Sequence, residues 1–585
     1  MKLIAKYIKP YVGFLSLTLV IKAIGTIIEL IIPYILSYIV DDIIPKVETL
    51  GSSQSSGGIL AEIIFGGLMM IICAASALLC NVIANRRAAK TARDTTEQIR
   101  HDLFCASLRL SCKNADKLTI PSLESRITSD TYNLHHFIGM MQRIGVRAPL
   151  LLFGGVLITL ILDPYLALVM IAILPFLGAF VFFYSKKTIP LYSEVQKNVD
   201  VMVRVVREDS QGIRVIKALS KKKYEQERFD SANRKLVKIE KKVGYITALS
   251  NPIMQVFLNL GLVGVVLLGA YRVNADLTQP GKIIAFIQYF TLISTSMMVL
   301  SRIFMAYSKG VASANRIAEV IDMENEISLC SEEEYPSTDN GFHISFDKVS
   351  FGYHSEKNVL HNISFNLKKG QTLGIIGATG SGKSTILGLL MRFYDVSSGA
   401  VRINGKDVRT ISNDSLHSMF GVALQNDFIF NGSVKENIDF GRGLSFESIK
   451  KGAERAQALE FIKEFPEDFE HEITSKGTNI SGGQKQRLLI SRALAGSPEI
   501  LILDDSSSAL DYKTDLNLRR AIAEQDGETT VIIVAQRVSS VMNSDLIIVL
   551  DEGRINGIGT HNELMESCEI YKEISDSQMG GAFLE

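Results

Sequence analysis

Apolar and polar positions divide this chain of 585 residues into two unlike halves. Up to about residue 310 the apolar positions come in long unbroken runs, and beyond about 340 they come in short strands and helical stripes. A bilayer core about 30 Å thick takes roughly 20 apolar residues per helix. Six stretches meet that length, near 15–40, 59–84, 144–163, 166–185, 245–271 and 281–306. The segments after the second and fourth stretches run on for about 60 residues each, with helical periodicity in "TTEQIRHDLFCASLRL" and "SEVQKNVDVMVRVVRED". Helices of that length project well beyond a membrane, and their tips are expected to touch the soluble half.

Charge orients the spans. Arg86, Arg87, Lys90, Arg93 and Arg100 follow the second stretch, and Lys186, Lys187 and "KALSKKKYEQER" follow the fourth. The loops at 41–58, 163–165 and 272–280 are short and poor in Lys and Arg. The positive-inside bias therefore places both termini and both long excursions in the cytoplasm. A short polar start leads straight into a full-length span, the pattern of a retained membrane segment rather than a cleaved leader. The six cysteines (Cys73, Cys80, Cys105, Cys112, Cys330, Cys568) form no CxxC pair and read as reduced thiols. Formal net charge is zero, which gives nucleic acid no electrostatic footprint.

Ionisable residues inside spans are costly and so are candidates for function. Lys22 and Glu29 stand two turns apart on one face of the first span, with Glu29 just ahead of Pro33. Lys22 either snorkels to the cytoplasmic surface or points inward. Glu29 lies deeper and is a candidate for the substrate path. Pro252 in "SNPIMQ" is expected to kink the fifth span. Met297 and Met298 suit either core packing or an adaptable apolar wall.

Residues 321–341 are acidic and polar and read as a linker between a membrane domain at 1–320 and an α/β domain at 342–585. In the second domain "HISFDKVSFGY" alternates as a strand does, and "QTLGIIGATGSGKSTILGLL" reads as strand, glycine loop and helix. The loop residues Gly377, Ala378, Thr379, Gly380, Ser381, Gly382, Lys383 and Ser384, with Thr385 after them, fit a phosphate-binding loop. Its glycines let backbone N–H groups face a phosphate at a helix N-terminus. Lys383 would reach the β/γ-phosphates of ATP, and Ser384 would offer a hydroxyl to Mg²⁺. "EILILDD" reads as a buried strand that delivers Asp504 to the same metal.

"NISGGQKQR" at 479–487 resembles the signature sequence of ABC transporter ATPases, and the remaining marks follow in that family's order. The resemblance implies that Tyr353 stacks on adenine. It places Gln425 as the loop glutamine beside Mg²⁺, facing the membrane domain, and "SALD" with Asp511 as the D-loop. The six-span half resembles the exporter branch, with one membrane domain fused to one ATPase. "ESRITSDTYNL" and "SQGIRVIKAL" resemble its coupling-helix regions, and "SANRIAEVID" resembles the exit from the sixth span. The implied fold is an all-α six-helix transmembrane domain with long intracellular helices plus a cytoplasmic α/β P-loop ATPase domain, using ATP and Mg²⁺. The sequons at Asn362, Asn431 and Asn479 then fall in cytoplasm, where they stay unused.

Two positions depart from the family's pattern. Its hydrolytic site carries a Glu after the metal-binding Asp and a His further on; this chain has Asp505 and Gln536. Asp is one methylene shorter, and Gln cannot carry an imidazole's charge. In the family, ATPase domains pair head to tail, so the intact signature residues Ser481, Gly482, Gly483 and Gln484 would serve the partner's ATP. A weak catalytic edge beside a good signature resembles the degenerate-site subunit of bacterial heterodimeric multidrug exporters. The implied partners are a second, non-identical half-transporter, membrane lipid and a hydrophobic or amphipathic small molecule, in the bacterial inner membrane. A homodimeric lipid or peptide exporter with two slow sites, or an ATP-clamped protein that does not pump, are the alternatives. A first span beginning near residue 15 leaves no room for a peptide-processing domain.

Overall fold

The apolar runs and the mixed second half form two compact units, one of Met1–Leu108 with Thr119–Met323 and one of Arg109–Leu118 with Glu324–Glu585. The computed structural model describes residues 2–49, 56–323, 327, 329–331, 334, 335, 337, 341–353, 358–425, 427–506, 510–523 and 528–579. Side chains at 47–49, 56–59, 298, 301, 304 and 512 lie outside that description, as does much of the linker expected at 321–341.

The first unit is all helix. Its main elements are α1 (Val12–Tyr38) and α2 (Ser56–Leu108). A short helix α3 (Cys112–Leu118) follows and clusters with the second unit. Then come α4 (Thr131–Arg143), α5 (Arg147–Leu162), α6 (Pro164–Gln211), α7 (Lys222–Asn274) and α8 (Pro280–Ile321). Among the described residues, five helical stretches are long and apolar enough to cross a membrane: Lys2–Lys46, Leu60–Leu108, Ile120–Leu162, Pro164–Gln211 and Lys222–Asn274. They match the first five predicted spans to within one residue at 59 and 163. The sixth, 281–306, falls within α8, where Met298 and two neighbours have side chains outside the description. At 1.5 Å per residue α6 and α7 measure roughly 72 and 80 Å, more than twice a bilayer core. α7 runs as one helix with Pro252 inside it.

Local chemistry fixes where these helices begin. Asp163, in extended conformation, accepts from the N–H groups of Tyr165 (3.0 Å) and Leu166 (3.2 Å). Pro164 takes the first helical position, where no N–H is needed. Asp41 is buried, accepts from Ser37 Oγ at 3.0 Å and takes the N–H of Gly281 at 2.5 Å, which caps α8. A Cβ at Gly281 would fall 2.7 Å from that carboxylate oxygen, so a side chain there would displace the cap. The outer faces carry exposed apolar side chains such as Phe153, Ile161, Phe176 and Phe183, as a lipid-facing surface requires. Inside, helices approach closely at small residues: a Cβ on Gly25 would lie 2.8 Å from Cys80 Cβ.

One polar network ties the first excursion to the end of α8. Asp130 is almost fully buried and binds the Arg316 guanidinium, and it accepts from Ser313 Oγ at 2.8 Å. Arg126 donates to the Arg316 carbonyl at 2.7 Å and pairs with Glu319 at 2.8 Å. The "ESRITSD" and "SANRIAE" segments are thereby bound to each other.

The second unit holds an antiparallel sheet of β1 (Ile344–Phe351), β2 (Leu360–Leu367) and β4 (Ser398–Ile403), in the order β2-β1-β4. Its main sheet combines β3 (Thr372–Gly377), β5 (Phe420–Ala423), β6 (Ile500–Asp504), β7 (Thr530–Val534), β8 (Leu546–Asp551) and β9 (Arg554–Gly559). The order is β9-β8-β3-β7-β6-β5, parallel except for the β8–β9 hairpin. β6, "ILILD", is buried along its whole length, which is why it reads as a continuous apolar run rather than an alternation. Helix α9 (Lys383–Leu390) follows β3, and α10 (Gly482–Ala495) packs near β5 and β6. The carboxyl ends of β3, β6 and β7 open onto one crevice, the usual ligand position in such sheets.

Candidate functional site: a nucleotide crevice at the strand ends

The β3–α9 turn is shaped by glycine. Gly380 and Gly382 have φ of +86° and +101°, which side-chain-bearing residues rarely adopt. A Cβ on Gly377 would fall 2.1 Å from the Leu550 carbonyl oxygen. Lys383, the first residue of α9, folds its ammonium back onto the carbonyls of Gly377 and Ala378, both at 2.8 Å. Burial pushes its pKa down, against the pull of Asp504 and Asp505. Ser381 Oγ is buried and has no hydrogen-bond partner among the described residues, an orphaned hydroxyl in the middle of the loop.

Beside this loop, Ser384 Oγ donates to Asp504 Oδ2 at 3.2 Å. Asp504 ends β6 and is 5 % exposed. Burial pushes its carboxyl above the usual range; the Ser384 hydrogen bond opposes this, and the neighbouring Asp505 adds to it. A hydroxyl, a carboxylate and the Gln425 side-chain amide form an oxygen-rich set that fits a hard divalent cation. The loop, the lysine and this set therefore fit Mg²⁺ and a polyphosphate. Mg²⁺ supplies charge neutralisation to the phosphates when bound.

The two unusual residues meet. Asp505 sits in the left-handed region at φ +49°, with its N–H on the Val534 carbonyl at 2.8 Å. Its Oδ2 accepts from Gln425 Nε2 at 3.3 Å and from Gln536 Nε2 at 3.4 Å. Gln536 stands just beyond β7, its carbonyl bound by Gln578 Nε2 at 2.8 Å. Tyr353, Thr379, Gly380, Lys383, Ser384, Gln425, Asp504, Asp505 and Gln536 share the wall of one crevice of about 310 Å³.

Tyr353 is 40 % exposed at its rim, its hydroxyl 3.1 Å from Thr385 Oγ1. Its ring meets the edge of Tyr394 with centroids 5.1 Å apart. The Tyr394 hydroxyl in turn donates to Asp116 of α3 at 2.9 Å. That aromatic relay was not foreseen from the sequence; the bare signal was a second Tyr close after the phosphate-loop helix.

The signature residues lie elsewhere. Ser481 caps α10: its Oγ accepts from Gln484 N–H at 3.3 Å, and Gln484 Oε1 takes the Ser481 N–H at 2.9 Å. None of Ser481, Gly482, Gly483 and Gln484 lines the crevice, and Ser481 and Gly482 are exposed. Asp511 accepts from the Thr514 N–H at 3.1 Å, and its hydrogen bonds with Thr514 hold its carboxyl below the usual range. Ser508 and Ala509 of the D-loop lie outside the described residues. In the membrane unit Glu29 forms an ion pair with Arg147, with contacts of 2.6 and 3.3 Å.

Known proteins match along nearly the whole length. Residues 15–297 match the family described as ABC transporter transmembrane region, and 360–508 match the family described as ABC transporter. The chain is 31 % identical over 577 residues to YfiB of Bacillus subtilis (strain 168), an uncharacterized ABC transporter ATP-binding protein; the match covers 98 % of each chain. This chain belongs to the ABC transporter family. It is also 28 % identical over 581 residues to the ABC transporter ATP-binding protein Rv1273c of Mycobacterium tuberculosis (strain ATCC 25618 / H37Rv), covering 98 % of each. The solved structure of a bacterial Atm1-family ABC exporter with ATP bound superposes with a TM-score of 0.79 at 22 % identity, over 97 % of this chain and 98 % of that one, so the two share a fold. This ABC transporter chain is thus a half-transporter, a membrane domain fused to an ATPase that hydrolyses ATP with Mg²⁺ and couples hydrolysis to transport. As a half, it works in a dimer.

Proposed function

We propose that this chain is one subunit of a heterodimeric, six-span multidrug-type exporter that moves amphipathic or hydrophobic small molecules across a bacterial cytoplasmic membrane. Its own ATP site is slow, and its signature serves the partner's nucleotide. The domain boundaries are 1–320 and 342–585. Lys383 and the loop from Gly377 to Thr385 hold the phosphates, Ser384, Asp504 and Gln425 hold Mg²⁺, and Tyr353 stacks on adenine. Ser481, Gly482, Gly483, Gln484 and Asp511 face the other chain.

The observation that carries this reading is the contact of Asp505 with Gln536 and Gln425. The residue that should orient the attacking water is short and accepts from two amides. The residue that should sense the γ-phosphate cannot take a proton. Both changes act on the same nucleotide, while the signature keeps its capping box. An engine with one slow and one fast site accounts for this asymmetry; two slow sites in a homodimer give the pump little turnover. Bacterial origin of the similar proteins supports the membrane assigned.

The test is the native mass of the complex purified from its host membrane through a tag on this chain. One chain of 64.5 kDa with a different chain of similar size supports the heterodimer. Two identical chains would overturn it. ATP-dependent uptake of a fluorescent amphiphile into inverted vesicles tests the pump itself, and uptake indifferent to ATP would remove it.

A further inference from the structure

The membrane unit holds a cavity of about 420 Å³ between α1, α2, α4, α5 and α8. That volume lies within the roughly 300–1,000 Å³ of small-molecule sites. Its wall is unusual in charge. Lys22, Arg143 and Arg147 all line it, with His136 beside them, and no carboxylate does so among the described residues. Leu151 and Leu292 supply part of an apolar side.

These cations are poorly compensated. Arg147 has one carboxylate, Glu29. Lys22 is only 4 % exposed, yet its ammonium is held by neutral acceptors, Asn81 Oδ1 at 2.7 Å and Asn85 Oδ1 at 3.1 Å. Arg143 donates its Nε–H to its own helix at the Gly139 carbonyl, 3.0 Å away. Three cations against one anion leave two positive charges, and His136 adds another when protonated. The positive-inside bias explains basic residues on loops and at membrane surfaces. It does not explain an ammonium turned into the bundle between two asparagines, because a surface lysine extends to the headgroups. Arg143 is exposed and the Arg147 side chain is 43 % exposed, so both are free to reach a bound molecule. Lys22 is the buried one, and a buried ammonium held only by neutral acceptors is relieved by a bound anion.

We infer that this cavity receives the anionic head, a carboxylate or phosphate, of an amphipathic molecule, with Lys22, Arg143 and Arg147 as its counter-ions and the leucine side taking the apolar body. The inference rests on the transporter reading and narrows its cargo to amphipathic anions. Such an anion has two sources, an anionic phospholipid of the bilayer or a soluble amphiphile from the cytoplasm.

The test uses the assembled transporter in phosphatidylcholine nanodiscs, with dodecyl phosphate as the probe and dodecanol and dodecyltrimethylammonium as neutral and cationic counterparts. Equilibrium binding is measured for wild type, Lys22→Gln, Arg143→Gln and the charge-preserving Lys22→Arg. Dodecyl phosphate should bind, each Gln variant should weaken it about tenfold, the size of one charge-assisted hydrogen bond, and Lys22→Arg should restore most of it. Phosphatidylglycerol that displaces the probe identifies a lipid headgroup as the natural anion. Displacement only by soluble amphiphilic anions identifies a cytoplasmic source. Equal binding of all three probes, or Gln variants that bind dodecyl phosphate like wild type, would overturn the inference. Basal ATP hydrolysis, followed in the same samples, reports on the transporter reading separately: its absence would remove that reading without deciding what the cavity binds.

Discussion

Replacing Asp505 by Glu together with Gln536 by His should speed hydrolysis at this chain's own site. Asp505 Oδ2 now rests 3.3 and 3.4 Å from the amide nitrogens of Gln425 and Gln536, both long contacts. The added methylene extends the carboxylate by about 1.5 Å, one carbon–carbon bond. A displacement on the order of 1 Å in a reacting group is worth roughly 10²-fold. That corresponds to about 2.7 kcal/mol of barrier. Histidine also restores a group that can carry charge near neutral pH. There is an opposing effect on stability. Asp tolerates the φ of +49° better than Glu does. A cost of about 1 kcal/mol should lower the ATPase domain's Tm by roughly 2–4 °C. The assay is single-turnover hydrolysis of γ-labelled ATP with the complex in excess. A heterodimer should give two phases, and the double variant should accelerate the slow one on the order of 10- to 100-fold. A slow phase within twofold of wild type, with ATP still bound, refutes the argument that Asp505 and Gln536 limit this site.

Lys383→Ala removes an ammonium that burial already disfavours. The unliganded ATPase domain should melt close to wild type, while the Tm rise on adding Mg·ATP should largely vanish, as scanning calorimetry would show. Tyr394→Phe deletes the hydrogen bond to Asp116, worth about 0.5–1.5 kcal/mol; ATP affinity should change little, while hydrolysis should respond less to transported substrate, read as the ratio of stimulated to basal ATPase rates. His343 is 3 % exposed with Nδ1 2.6 Å from Thr530 Oγ1, and burial holds its pKa below the usual value despite Glu499 nearby. Its neutral form is favoured in the fold, so its contribution is intact above the unfolded pKa of about 6.5 and is lost as pH falls below it. The Tm of the ATPase domain should therefore drop between pH 7 and 5, and less steeply in His343→Gln.

The parts of this protein legible in its sequence are those whose physics is local. Strands buried on both faces read as unbroken aliphatic runs, so β3 and β6 and the carboxylate of Asp504 could be placed. The β3–α9 turn demands residues that tolerate positive φ, so Gly380 and Gly382 announced it. Spans show through their length alone. What stayed hidden depends on distant pairing. Glu29 was noticed as an isolated acid in a span, but its partner Arg147 lies 118 residues away. Arg147 opens the third span, where a basic residue passes for an ordinary flank. Asp116 and Tyr394, 278 residues apart, are each unremarked polar positions until the fold joins them. Likewise Asp505 and Gln536 could be singled out one by one, yet the meeting of Gln536 and Gln425 on the Asp505 carboxylate belongs to the crevice and not to any motif.

The Asp130 network has a consequence for how parts of such proteins can be exchanged. Because Asp130, Arg316, Ser313, Arg126 and Glu319 are bound as one group, the segment at 126–130 and the C-terminal end of α8 are tied together. A movement of one arm that keeps these bonds must carry the other with it. A chimera that keeps residues 310–320 but imports a 119–135 segment without an acid at 130 and a base at 126 would leave Arg316 and Glu319 without their partners and the buried Ser313 hydroxyl without its acceptor. ATP hydrolysis by such a chimera should respond less to transported substrate, read as the ratio of stimulated to basal rates.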